Sequence, residues 1–252
     1  MNSRELVPAW AEAMAEEFWT SVGGWPGAPV AIEGSLGNVL DIAVMPRLSV
    51  ARVATWLAQR GVHYQFPCAD RALHGCLLVH AGNGVVFVDG SDPPNEQRLT
   101  LAHEGAHFLR HYLSPRVRAI STFGQVIVEA LDGRREPTAD ERIHGALLDI
   151  QVGPHVHLVE RDSAGRFERG DVWGAEIEAD VLAVELLAPA AAVRRELEAA
   201  GVLSSYLACR RVAEVLLIDR YDLPVAVARQ YARHLAEALT GGPGVLEEWG
   251  LL

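Results

Sequence analysis

Two histidines four residues apart, with a glutamate beside the first, carry the richest chemistry in this sequence: Leu101-Ala102-His103-Glu104-Gly105-Ala106-His107-Phe108. Residues at that spacing stack on one face of an α-helix. His103 and His107 can therefore aim ring nitrogens at one ion, with Glu104 one step round the helix. Two neutral imidazoles so placed suit zinc, and a neighbouring carboxylate can take a proton from water at the metal, whose pKa zinc lowers to about 7. Catalysis also needs a third protein ligand and an open fourth position. The run Glu176 to Pro189 reads as an amphipathic helix ended by its proline, and it places Glu176 and Asp180 four apart on one face. In this reading Glu176 binds the metal, and Asp180 accepts a hydrogen bond from the far nitrogen of a ligating histidine. Glu178 is the fallback acid. His155 and His157, alternating across Val156 on an expected strand, are a rival ligand pair. His111 lies a further turn beyond His107, about 6 Å along the axis, too far for all three histidines to share an ion, so it is read as supporting or packing beside the site. Donors for a developing oxyanion are sought among Tyr112, Tyr206, Tyr221 and His144, without a choice between them.

These groups need elements to hold them. Leu6, Trp10, Met14 and Phe18 predict a helix over Arg4 to Thr20, broken by the Gly/Pro-rich stretch Gly23 to Pro29. Ser49 caps a second helix, which presents Val53, Trp56 and Leu57 and ends near Gly61. Val62 to Phe66 and Cys76 to His80 read as strands, and Asn83-Gly84 before Val85 to Val88 signals a hairpin. A third helix starts at Asp92 or Asn95, carries the histidine pair and stops at Ser114-Pro115. Beyond it come a helix near Val117 to Leu131, a polar break from Asp132 to Thr138, a helix from Ala139 to Ile150 and a strand at His155 to Val159. Ala191 to Leu239 is helical in pattern, with a helix start at Asp222-Leu223-Pro224. Bundle packing is the simpler account of it beside a helix-turn-helix, and a glycine hinge leads to the tail Val245 to Leu252. The expected fold is α+β, a small antiparallel sheet with the active-site helix, surrounded by helices. Residues 1–66 form N-terminal helices and a first strand, 67–190 the metal-bearing core with an insert at about 115–170, and 191–252 a helical region and tail.

Composition narrows the choice. All 22 basic residues among 252 are arginines, which removes Schiff-base, Walker-A and kinase lysine chemistry. The net charge of -11, without a basic run, argues against direct nucleic-acid binding. Cys68, Cys76 and Cys209 are scattered and odd in number, so neither a disulfide framework nor a thiolate zinc site is expected. The acidic N-terminal run does not read as a signal peptide, and no apolar stretch approaches the roughly 20 residues of a membrane span; a cytoplasmic location follows as the expectation.

The run Arg98 to His111, followed downstream by Glu176 to Pro189, resembles the ImmA/IrrE family of metallopeptidases. That family's helices read approximately R-F-T-L-A-H-E-L-G-H-x-x-L-H and E-x-E-A-N-x-F-A-x-x-L-L-M-P. The correspondence is clearest at His103, Glu104, His107 and Glu176 and extends from about Ala69 to Pro189. The resemblance implies a zincin-like core in which an edge strand beside the active-site helix receives an extended peptide, with strands 75–80 and 85–89 as candidates. It further implies a zinc peptidase of the gluzincin-like kind, with Zn2+ held by His103, His107 and Glu176 and Glu104 as the catalytic residue. The implied substrate is a helix-turn-helix repressor, cleaved in a stress or mobile-element response. The alternative is a regulatory binding protein that keeps the zincin fold and sequesters its repressor uncut; the intact Glu104 favours the enzyme. The sequence departs from the family pattern at Gly105-Ala106 in place of Leu-Gly, at Asp180 in place of Asn, and in a longer segment between His107 and Glu176.

Overall fold

A computed structural model describes residues 5–66, 68–147 and 170–243. The strand expected at His155 to Val159, with the His155/His157 pair, and the tail Val245 to Leu252 lie outside the described residues. Among the described residues the fold is α+β and mostly helical, with one small sheet. In chain order it contains α1 (Ala9–Ser21), α2 (Ile32–Leu36), β1 (Asp41–Met45), α3 (Val50–Ala58), β2 (Gly75–His80), β3 (Asn83–Asp89), α4 (Pro94–His107), a π-helical segment (Phe108–Leu113), α5 (Ser114–Phe123), α6 (Ile127–Leu131), α7 (Ala139–Leu147), α8 (Gly170–Leu187), α9 (Ala190–Ala199), α10 (Tyr206–Asp219) and α11 (Val225–Thr240). The chain divides into two units, Glu33–Asp180 and Met1–Ile32 with Val181–Leu252.

In the unit Glu33–Asp180 the strand order is β1-β3-β2. β2 and β3 are antiparallel, but β1 runs parallel to β3, with Asp41 opposite Val85 and Met45 opposite Asp89. The sheet is therefore mixed, not antiparallel as expected. The sequence reading lacks β1 because this strand is five residues long and none of them is buried, so it carries no strong apolar alternation. Conversely, Val62 to Phe66 is irregular chain and not a strand. Its aromatic residues serve packing, Tyr64 meeting Phe66 edge-on at 4.9 Å against the core beneath α3.

The hairpin forms where expected, but its turn is Ala81-Gly82, with φ of 50° and 87°. Left-handed geometry at both turn residues matches the twist of the flanking strands and suits glycine at the second. The Gly82 N–H donates to the Tyr112 hydroxyl at 2.6 Å, fastening the turn to the helical segment that follows α4. Gly84 lies inside β3, where any side chain would run into Leu40 and Phe108.

The pleat sorts the sheet residues. Cys76 and Phe87, cross-strand partners, join Leu48, Val50, Val53, Leu57 and Leu73 in a core under α3, with Trp56 edge-on to Phe87 at 5.1 Å. Ser49 Oγ accepts from the Arg52 N–H and caps α3 as the sequence predicts. Residues of opposite parity face α4 and the π-helical segment after it: Gly75 lies against Thr100 and Glu104, and Gly84 against Phe108. The expected stop at Ser114-Pro115 does not occur. The chain widens into the π-helical segment and continues as α5, with Pro115 in its first turn, where a missing amide proton costs little. Gly124, at φ 75°, ends α5 and splits the helix expected over Val117 to Leu131.

The other unit is helical. α10 and α11 pack together with Cys209, Ala213, Leu217, Ala228, Ala232 and Leu235 buried. Arg229 pairs with Glu214 and Arg233 with Glu237, each at 2.8 Å, so these arginines are matched by carboxylates. Glu185 is buried, accepts from the Ala190 N–H at 3.0 Å, and has its pKa raised by burial from 4.5 to about 7.

Two outcomes are expected. Gly84→Val should lower stability by about 1–3 kcal/mol in urea unfolding, because Leu40 and Phe108 occupy the space its side chain needs. Folding holds the Glu185 proton more tightly than the unfolded chain does, so stability is lost as the pH rises from 4.5 through about 7. Glu185→Gln should flatten that loss in thermal unfolding followed between these limits; an unchanged pH dependence would contradict the assignment.

Candidate metal centre

α4 turns His103 and His107 to the same side, and α8 brings Glu176 against both. The His103 Nε2 lies 3.2 Å from Glu176 Oε2 and 3.1 Å from His107 Nε2, and His107 Nε2 lies 3.5 Å from Glu176 Oε1. His103, His107 and Glu176 are 4%, 1% and 5% exposed, and their ligand atoms fall within 4.8 Å of one another. Among the described residues this is the group able to hold a metal ion. The donor set, two imidazole nitrogens and a carboxylate oxygen, suits zinc, and three protein ligands leave a fourth position for water or substrate.

The outer nitrogens are also engaged. His103 Nδ1 lies 2.9 Å from Asp180 Oδ1, and His107 Nδ1 lies 3.0 Å from His111 Nδ1. Because a carboxylate only accepts, the proton of the first contact sits on His103 Nδ1 and points away from the cluster. The four-residue spacing of Glu176 and Asp180 thus lets one helix meet both nitrogens of His103.

Burial opposes charge on His103, but hydrogen bonds to Asp180 and Glu176 and the nearby Glu104 outweigh it and raise its pKa from 6.5 to about 9. Burial lowers that of His107 to about 4. For Glu176, burial works upward, yet hydrogen bonds to His103 and His107 hold its carboxyl down at about 2. Without a metal, a proton on His103 therefore bridges toward Glu176.

Glu104 follows His103 on α4 and is buried, with its side chain against Gly75 at the start of β2: a Cβ on Gly75 would stand 2.9 Å from Glu104 Oε1. Gly105, the departure from the family pattern, sits where a Cβ would come within 2.9 Å of the buried Leu36 side chain; that leucine fills the space a larger residue would take. The sequence reading has no place for Arg110, which grips Glu178 through Nε at 2.8 Å and Nη2 at 3.2 Å. Glu178, expected as the fallback ligand, instead meets Arg110 and His111. Its position two residues from both Glu176 and Asp180 gives it a different face of α8, and that spacing is the available sequence signal.

Of the oxyanion candidates, Tyr112 accepts from Gly82 in the hairpin turn, His144 Nδ1 lies 2.9 Å from the carbonyl of Asp140 on its own helix, and the Tyr221 hydroxyl donates to Glu196 at 2.9 Å. Tyr206 is buried at the start of α10.

Zinc added to metal-free protein at neutral pH is expected to displace about one proton, the one held by His103, and to bind more tightly as the pH rises toward 9. Calorimetry in buffers of different ionisation enthalpy measures that release. Glu176→Ala should abolish tight binding, whereas His155→Ala should leave the stoichiometry unchanged.

Residues 59–132 match a peptidase family model described as IrrE N-terminal-like domain. The matched stretch contains β2, β3 and α4 with both histidines and ends before α8. No curated protein and no solved structure matches the chain. Among the described residues, no helix is long and apolar enough to cross a membrane. The family points to a metallopeptidase acting on protein, and the buried cluster of His103, His107 and Glu176 points to a bound metal. The match supports membership of the ImmA/IrrE family for residues 59–132, the stretch that carries both histidines.

Proposed function

We propose that the protein is a zinc-dependent endopeptidase. The observation that carries this reading is the meeting of His103 Nε2, His107 Nε2 and a Glu176 carboxylate oxygen in a buried cluster, one residue along the chain from a buried glutamate. Zinc supplies, when bound there, a Lewis acid that makes hydroxide accessible near neutral pH and polarises the scissile carbonyl. His103, His107 and Glu176 hold it, and Asp180 orients His103 through Nδ1.

Glu104 takes a proton from the attacking water and later delivers it to the leaving amine. Its burial against Gly75 keeps the carboxylate in one place and away from bulk water. β2 stands at the end of the strand order, and its first residue borders Glu104. An extended substrate segment pairing with this strand would present its backbone beside the general base. The family resemblance supports a helix-turn-helix repressor as the substrate, with cleavage relieving repression in a stress or mobile-element response.

The test uses the wild-type protein and Glu104→Gln, each incubated with the products of neighbouring transcription-factor genes and read by mass spectrometry. The variant is expected to keep its zinc and to cleave at least about 100-fold more slowly. Equal fragmentation by both proteins would remove Glu104 from the chemistry. Release of an uncut repressor from DNA by both would replace proteolysis with sequestration.

A further inference from the structure

We infer that His111, held by Glu178 and Arg110, is a positioning residue that fixes the ring of His107 in the tautomer whose bare Nε2 faces Glu176 and His103. This deepens the zinc reading and rests on it for its purpose, though not for its geometry. Four contacts form an unbroken line. Arg110 donates to both oxygens of Glu178, at 2.8 and 3.2 Å; Glu178 Oε2 lies 3.2 Å from His111 Nε2; and His111 Nδ1 lies 3.0 Å from His107 Nδ1.

The direction of the protons follows from the end groups. A guanidinium only donates and a carboxylate only accepts, so the proton between Glu178 and His111 belongs to His111 Nε2. With that one proton, His111 leaves Nδ1 bare. A bare nitrogen 3.0 Å from His107 Nδ1 accepts the proton that the His107 atom carries. His107 then has a lone pair on Nε2, the atom that meets His103 and Glu176. Asp180 fixes the Nδ1 proton of His103 in one step, and Glu178 and His111 fix that of His107 through a relay of two residues.

The backbone is built for this contact. Phe108–Leu113 winds as a π-helix, with a wider turn than the α-helix that precedes it. There the rings of His107 and His111 approach to 5.0 Å between centroids, while the consecutive residues Arg110 and His111 both reach Glu178. A histidine placed only for packing needs neither the nitrogen-to-nitrogen contact nor the anchored carboxylate.

The tautomer can be read directly in metal-free wild-type protein labelled with 15N, from long-range proton–nitrogen correlations of the imidazole rings. The expected result is a proton on His107 Nδ1 and a bare Nε2; a proton on His107 Nε2 overturns the inference. Zinc affinity measured by chelator competition gives a second readout, with circular dichroism confirming that each variant folds. His111→Phe, which has no acceptor, should lose about 10- to 100-fold in affinity. His111→Asn, whose side-chain carbonyl can accept from His107 Nδ1, should retain most of it. Equal losses in the two variants, or none in His111→Phe, would contradict the relay. Absence of zinc binding by the wild-type protein would defeat the metal reading, while the nitrogen correlations would still decide the tautomer.

Discussion

Three buried groups whose lone pairs turn toward one another call for a proton or a metal cation between them. Two Nε2 atoms and a carboxylate, drawn from α4 and α8, stand within 3.5 Å along each side of the cluster. In a medium of low polarity, removing an ionised carboxylate from water without compensation costs several kcal/mol. The raised pKa of His103 and the depressed one of Glu176 express the same demand, because a proton is the smallest cation able to meet it. A divalent ion would meet it with all three groups at once. That single electrostatic requirement explains why the outer nitrogens of both histidines are committed elsewhere.

The surrounding architecture keeps this arrangement in place by close approach. Positions without side chains let the sheet touch α4 and the π-helical segment after it: Gly75 admits Glu104, and Gly84 admits Phe108, the residue after His107. On the opposite face, α3 and Phe87 close the core and stiffen the sheet from behind. Close-packed contacts of this kind transmit displacement, so the position of Glu104 depends on the strand as much as on its own helix.

Local chemistry was legible in the sequence. The spacings of His103 with His107, and of Glu176 with Asp180, follow from helical geometry alone, and the structure brings those four residues together. The cap of α3 and the hairpin were also readable, through Ser49 and the strongly apolar flanks of the turn, whereas α4 begins after Pro93 with no side-chain cap from Asp92 or Asn95. What escaped depends on partners distant in sequence. β1 exists because β3 offers a free edge, not because its own residues alternate. Val62 to Phe66 has strand-like composition, but its aromatic residues are used for packing. Pro115 marked a helix end that the π-helical turn bypasses. By sequence Glu178 reads as a spare ligand, but Arg110 and His111 face it, a contact between helices that no local pattern encodes.

The claim that everything else depends on is the identity of the atoms around the metal. X-ray absorption at the zinc edge of the wild-type protein reads them directly. The account predicts a sulfur-free shell of nitrogen and oxygen at about 2.0–2.2 Å, with the scattering signature of two imidazoles and the remainder oxygen. A shell containing sulfur near 2.3 Å, or one dominated by three or more imidazoles, would place the metal on other residues and contradict the account.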